Sequence, residues 1–343
     1  MNITRLLFLV LTAYCPIVSG QSAVSLFEKL YGLHEVKLTL TYPFDSLYKS
    51  NREEITASIR IETAEGLLLS NEPMALNLRG KFRRMKCTMP PLMLNFKKST
   101  LRRLELNEVD EIKLVTHCLS TPEGEENLEE ERLCYQLYES LTPYAYRTIW
   151  VTVTYMDSLH QNKAITSSGF LLEPDPDISN RLGVTERKLF NLKQDSLDVE
   201  SYGRATAFNF MIGNRDWSVV MSRNAKLFYA PDKGKYVVVP YDFDYSNLVS
   251  PSYRRETRPA DMTNALDRIY QGEYFADQAG DILKTFSRSR PILLSQFSTV
   301  SNSMSDGKRK NITKYLETWF NYIDKRPASE LPYNTIVPYT GSL

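Results

Sequence analysis

The spacing of apolar residues changes character once along this chain, and that change constrains the fold more than any composition figure. From about Glu35 to Glu173 the apolar residues mostly alternate: Val36, Leu38 and Leu40; Ile55, Ala57, Ile59 and Ile61; Leu92, Leu94 and Phe96; Ile149, Val151 and Val153. A period of two belongs to half-buried strands, whose side chains point to opposite faces in turn. One stretch, Glu125 to Leu141, has helical spacing instead. Leu133, Cys134, Leu137, Tyr138 and Leu141 form its apolar stripe, with Glu129 to Glu131 near its start. After Pro174-Asp175-Pro176-Asp177, which reads as a loop or connection, helical spacing takes over. Asp195 or Asp198 can cap a helix running to about Ile212, and Ile312, Tyr315, Leu316, Trp319, Phe320 and Ile323 mark a long amphipathic helix. One strand pair interrupts this half, Lys226 to Tyr229 and Lys235 to Val239, joined by Pro231-Asp232-Lys233-Gly234.

With 343 residues, 42% hydrophobic and 24% charged, the chain can bury one large core or build two lobes. Its 42 basic and 41 acidic residues leave a formal charge of +1, so the overall balance selects neither nucleic acid nor an anionic membrane. Arg5, an apolar run from Leu6 to Val18 and the small pair Ser19-Gly20 read as a secretory signal peptide over residues 1–20, cut after Gly20. The expectation is a secreted or periplasmic protein. No later stretch approaches the roughly 20 apolar residues of a membrane span. Beyond the leader stand Cys87, Cys118 and Cys134, an odd number for an oxidising compartment. One disulfide with a free thiol and three unpaired, buried cysteines both remain open. His34, His117 and His160 are scattered, which argues against a zinc centre and a Ser-His-Asp triad.

The residues that point to chemistry lie between Asn214 and Tyr245. Asn-Arg-Asp-Trp at 214–217, Asn224, and Tyr-Asp-Phe-Asp-Tyr at 241–245 bring Asp216, Asn224, Asp242 and Asp244 to the two ends of a short hairpin. Hard divalent cations such as Mg²⁺ or Mn²⁺ take oxygen ligands, usually one or two carboxylates together with substrate phosphates. Asn224, Asp242 and Asp244 supply that set, and Asp216 is placed to accept the proton of an attacking hydroxyl. Taken singly, Asp216 and Asn224 also suit ordinary turns. The apolar run Val237-Val238-Val239-Pro240 ending in two acids is harder to explain by packing, because buried carboxylates need a cation or hydrogen bonds. The stretch from Arg79 to Lys86 is basic, and continued alternation would set Arg79, Lys81 and Arg83 on one face, toward nucleotide phosphates, solvent or an acidic partner.

A sheet-rich segment with one helix, a short connection, and a helical segment with an acid-bearing hairpin make an α+β, two-lobed, protein-kinase-like layout. The sheet-rich N-lobe would span 21–173 and the mainly helical C-lobe 174–343. Such a site needs a strand lysine paired to a helix glutamate. Lys97 and Lys113 are candidates for the lysine, Glu130 and Glu131 for the glutamate, and spacing does not choose among them.

The order Arg79-Gly80, Pro90-Pro91-Leu92-Met93-Leu94, Lys113-Leu114-Val115, the helix around Glu131 to Leu141, Gly169-Phe170-Leu171-Leu172-Glu173, Gly213-Asn214-Arg215-Asp216, Asn224 and Pro240-Tyr241-Asp242-Phe243-Asp244 resembles the CotH family of atypical secreted protein kinases over about residues 76 to 246. The resemblance implies transfer of the γ-phosphate of ATP to Ser or Thr of an exported acceptor protein. Asp216 would be the catalytic aspartate, Asn224 and Asp242 metal ligands, and Glu173 a neighbour of the adenine. Met89, Met93 and Asn95 stand where the family has basic residues, which leaves the phosphate-contacting lysine unassigned. Two other readings stand beside this one. The first is a surface or matrix binding protein that keeps the fold without catalysis. The second is a glycoside hydrolase using Asp216 and Asp242 as paired carboxylates.

Overall fold

The computed structural model describes residues 23–46, 54–80, 83–160, 163–190, 192–254, 262, 264–271, 279–299, 304–325 and 336–340. The expected signal peptide, residues 1–20, lies outside the described residues.

The alternating segments do form strands: β1 (Val36–Tyr42), β2 (Ile55–Thr63), β3 (Gly66–Leu78), β4 (Leu92–Phe96), β5 (Glu111–Thr116), β6 (Thr148–Asp157) and β7 (Ala164–Leu172). They do not form the open sheet of an N-lobe. The order β1-β2-β3-β4-β5-β7-β6 closes into a seven-stranded barrel. Closure comes from a parallel pairing of β1 with β6, from Val36 opposite Val151 to Tyr42 opposite Asp157, while the other pairs are antiparallel. Closing a sheet removes its edges, so among the described residues the barrel strands have a neighbour on both sides. The apolar partners of the alternation fill the barrel: Leu38, Leu40, Ile59, Leu92, Leu94, Val151 and Val153 are buried in one cluster. A short helix, α1 (Leu26–Leu30), capped by Ser25, adds Leu26, Phe27 and Leu30 to the same cluster.

The two-lobed, protein-kinase-like expectation is therefore corrected. Alternation identifies a strand but not its neighbour, and a pairing of Val36 with Val151 joins residues far apart in sequence. The segment after residue 174 is also more mixed than expected. Beside its helices it carries a three-stranded sheet of β8 (Thr185–Arg187), β9 (Ala225–Ala230) and β10 (Lys235–Pro240), and a strand pair of β11 (Arg268–Ile269) with β12 (Ile336–Val337).

Short helices α2 (Arg83–Lys86) and α3 (Lys98–Arg103) flank β4, and the long helix α4 (Pro122–Glu139) connects β5 to β6. The Pro174 to Asp177 stretch opens a helix, α5 (Asp175–Leu182), instead of a loop. Proline is tolerated in the first turn, where its missing N–H has no helical partner, and acids there suit the helix dipole. Asp198, not Asp195, caps α6 (Val199–Ile212), its carboxylate accepting the Ser201 N–H at 2.9 Å. Two further helices, α7 (Ala279–Thr299) and α8 (Asp306–Asp324), complete this part. Leu133, Leu137 and Tyr138 of α4 share a second core with Phe208, Phe210, Val237 to Val239, Phe286 and Trp319. Helix α4 thus belongs by sequence to the barrel and by packing to the helices.

Three successive glutamates of α4, Glu129, Glu130 and Glu131, are all buried. Adjacent helical positions point about 100° apart, so this helix is enclosed on several sides. Glu130 meets Lys308 of α8 at 3.0 Å. Burial pushes the Glu130 carboxyl up to about 8, against the pull of Lys308. A carboxyl raised in the folded state favours folding while protonated, and that contribution is lost as pH climbs from the ordinary glutamate range through 8. Glu130→Gln is accordingly expected to raise stability at neutral pH by on the order of 1–3 kcal/mol. Urea unfolding at several pH values checks this, and the gain should shrink as pH falls toward the ordinary range of a glutamate.

Candidate functional site

A cleft opens where the outer face of β5 meets α4 and the end of β10. It is lined by Arg79, Gly80, Arg83, Pro91, Lys113, Leu114, Val115, Glu131, Tyr135, Leu172, Tyr241 and Asp242. Its open space is about 100 Å³. That is small against the ~300–1,000 Å³ of sites that enclose a whole ligand, and suits a ligand's charged end.

The basic stretch enters the cleft by a route that alternation did not anticipate. Strand β3 ends at Leu78, Gly80 adopts a positive φ of 69°, and Arg83 opens α2. Lys81 lies outside the described residues. A disulfide between Cys87 and Cys118 ties the end of α2 to the segment after β5, and the Cys87 N–H donates to Arg83 O at 2.8 Å. Cys134 is a buried free thiol. The guanidinium of Arg83, with its side chain only 11% exposed, lies among three carboxylates. Its Nη2 is 2.7 Å from Asp244 Oδ2, 3.1 Å from Glu131 Oε2 and 3.2 Å from Asp242 Oδ1, and its Nε donates to Asp244 at 3.0 Å. Burial alone would lower the pKa of Arg83, but Asp244, Glu131 and Asp242 outweigh it and hold the charge firmly. Burial pushes Glu131 up to about 7 and Asp244 well above the carboxylate range, with Arg83 opposing both shifts.

Asp242 follows the last residue of β10 by two, with φ at 61°, a left-handed conformation that costs a non-glycine residue free energy. Its N–H donates to the buried Tyr135 hydroxyl at 2.9 Å, and Phe243 packs between Tyr135 and Phe208 with ring centroids 4.8 and 5.4 Å away. These contacts hold the strained turn and turn both acids toward Arg83.

Lys113, on β5, faces the cleft from the opposite wall. Its Nζ is 3.7 Å from Asp175 Oδ1 and lies 5.5 and 5.8 Å from the rings of Tyr146 and Tyr241. Burial lowers its pKa to about 8, with Asp175 resisting. Asp216 and Asn224 come together beside the start of β9, at the same end of the β9–β10 hairpin as Asp242. Asn224 Nδ2 donates to the Asp216 carboxylate at 3.1 Å and to its carbonyl at 2.6 Å, and the Asp216 N–H donates to Asn214 Oδ1 at 3.0 Å. The Tyr241 N–H donates to Asn224 O at 3.0 Å, which joins this pair to the strand end that carries Asp242. Asn224 also has a positive φ, 50°.

Of the residues expected at the site, Arg79, Lys113, Glu131 and Asp242 line one cleft, Asp244 reaches the same guanidinium, and Asp216 pairs with Asn224. Lys97 is exposed at the start of α3 and does not line the cleft. Glu173 is fully buried against Arg147 and Arg181 and does not line it either. Sequence reasoning does not single out Tyr135, which lies outside the stripe of Leu133, Cys134, Leu137, Tyr138 and Leu141, or Tyr241, which it takes only as a flank of the acids. Asp175 was seen only as a connector.

The oxygen chemistry of Asp242, Asp244 and Glu131 suits a hard divalent cation, but their arrangement does not fit one. One oxygen of each is turned to Arg83, whose guanidinium occupies the space between them, and Asn224 turns its amide nitrogen to Asp216. Among the described residues no group of three or more His, Cys, Asp or Glu side chains is set to hold a metal. Asp242 reaches Arg83 through Oδ1 alone. No helix among the described residues is long and apolar enough to cross a membrane. No family model matches the chain, and no curated protein matches it.

Proposed function

We propose that the cleft binds the phosphate end of a nucleotide, ATP in the reading the motifs favour. Asp216 then orients a Ser or Thr hydroxyl of an exported acceptor protein for phosphoryl transfer. The observation that carries this reading is the convergence of Arg79, Arg83 and Lys113 beside an apolar wall of Leu114, Val115 and Leu172. Cations fixed before the ligand arrives stabilise phosphate charge without reorganisation. In the transfer the acceptor oxygen bonds to the terminal phosphorus, the bond from that phosphorus to the bridging oxygen breaks, ADP leaves, and the hydroxyl proton passes to Asp216. Asp216 is accessible to an acceptor, with 39% of its side chain exposed, and Asn224 fixes its orientation. The Cys87–Cys118 disulfide supports an oxidising, extracytoplasmic setting.

Calorimetric titration of ATP into wild type and Lys113→Ala tests the proposal. Wild type is expected to bind and the variant to lose most of the affinity. Absence of binding by ATP, ADP and pyrophosphate to wild type would overturn it. The pH dependence follows from Lys113, which is charged below about 8 and loses its charge as pH rises through that value. ATP affinity should therefore fall across that window, and Lys113→Arg should bind with little change there.

One observation favours a second reading, a non-catalytic surface or matrix protein. Arg83 already pairs with the acids that would otherwise be open to a metal ion. That reading predicts partner binding unchanged by Asp216→Ala and Asp242→Ala.

A further inference from the structure

We infer that Arg83 is the resident cation of this cleft and that a nucleotide's phosphates are recognised there without a divalent ion. The inference rests on the phosphate-binding reading above and specifies the cation that serves it.

A divalent ion such as Mg²⁺ needs near-octahedral oxygen ligands at about 2.0–2.1 Å. Three of the carboxylates that could provide them each turn one oxygen to the same guanidinium. Asp244 Oδ2 accepts from Nε of Arg83 at 3.0 Å and lies 2.7 Å from its Nη2, and Glu131 and Asp242 each offer an oxygen to Nη2 at 3.1 and 3.2 Å. Tyr253 adds its hydroxyl to Asp244 Oδ2 at 3.4 Å. A divalent ion at the centre of these oxygens would overlap the guanidinium and repel its charge, so it could enter only if Arg83 left. Several contacts oppose departure. Arg83 is inside the cleft by virtue of α2, whose end is covalently tied to Cys118, and the chain beyond it is held by Met89, whose carbonyl accepts the Thr116 hydroxyl at 2.6 Å. A guanidinium presents donors in a rigid fork and can bind carboxylates on one side while offering remaining N–H groups to phosphate oxygens. Arg83 lines the open cleft alongside Arg79 and Lys113, so all three can reach the same anion.

The test compares metal and nucleotide binding separately. Mn²⁺ alone is titrated into wild type and Arg83→Ala and followed by electron paramagnetic resonance. ATP is titrated into wild type in excess EDTA and again in excess Mg²⁺. Wild type is expected to leave Mn²⁺ free, and Arg83→Ala to gain a site at least ~10-fold tighter, because removing one partner leaves buried acids uncompensated. ATP should bind wild type equally well in both solutions. Stoichiometric Mn²⁺ binding by wild type that is lost in Asp242→Asn would overturn the inference, as would ATP binding that requires Mg²⁺. Should Arg83→Ala fail to fold, the two wild-type titrations decide alone. If ATP binds in neither solution, the phosphate reading falls, while the Mn²⁺ comparison still decides whether Arg83 holds the cation position.

Discussion

Truncating Glu173 to alanine is expected to destabilise the protein by about 3–5 kcal/mol, the range for removing one partner of a buried ion pair. Glu173 is fully buried at the junction of β7 and α5. One of its oxygens accepts from Arg147 Nε at 3.0 Å, Arg147 Nη2 at 2.7 Å and Arg181 Nε at 2.9 Å. The other accepts the Arg147 N–H at 3.0 Å and Arg181 Nη2 at 2.9 Å. Arg147 also pairs with Glu28 of α1, and its guanidinium lies 4.4 Å from the Tyr31 ring, so the cluster ties α1, β6 and α5 together. Without Glu173, two largely buried guanidinium groups lose their shared counter-charge. Glu173→Gln, which keeps the shape and some acceptor capacity, should cost less. Urea unfolding measures both. A cost below about 1 kcal/mol for Glu173→Ala, together with weakened ATP binding, would return this residue to the nucleotide-contact role that the CotH resemblance implied.

The second large effect is kinetic. Asp216→Ala is expected to lower phosphoryl transfer by about 10²–10⁴-fold, the usual contribution of a positioned general base, while ATP affinity stays unchanged. The separation follows from the geometry, since Asp216 pairs with Asn224 at the hairpin and does not line the cleft that holds Arg79 and Lys113. Radiolabel transfer from ATP to a Ser/Thr-rich acceptor protein, measured alongside calorimetry, distinguishes the outcomes. Parallel loss of binding and transfer would mean that the Asp216–Asn224 pair holds the hairpin together and does no chemistry. Transfer unchanged by the variant would remove Asp216 from the mechanism and favour the partner-binding reading.

The local elements were legible because they rest on short-range rules. Val36, Leu38 and Leu40 alternate, and a strand forms with them buried. Leu133, Leu137 and Tyr138 recur at helical spacing, and α4 buries them. Asp198 precedes an apolar helical run and caps it. The rules failed where a special backbone conformation intervened. Gly80 breaks the expected face of Arg79, Lys81 and Arg83, so Arg83 enters the acid cluster from a helix and not from a strand. Pro174 and Pro176 were read as breakers, yet at the first turn of α5 a proline forfeits no helical hydrogen bond.

The candidate site was half legible for the same reason. Asp216, Asn224, Asp242 and Asp244 are close in sequence and joined by one hairpin, so chain connectivity alone keeps them near each other. Lys113 against Lys97, and Glu131 against Glu130, could not be separated by spacing. That choice depends on which face of β5 meets α4, and on the rotation of α4 that gives Glu131 to Arg83 and Glu130 to Lys308. Sequence alone therefore determined the periodicities, the caps and the hairpin acids, all products of interactions within a few residues. Tertiary structure decided the barrel's closure by β1 and β6, the burial of Glu173 between two arginines, and the arginine among three carboxylates. Each of these joins residues distant along the chain, and their free energy depends on which surfaces are brought together and dried, a quantity no local pattern carries.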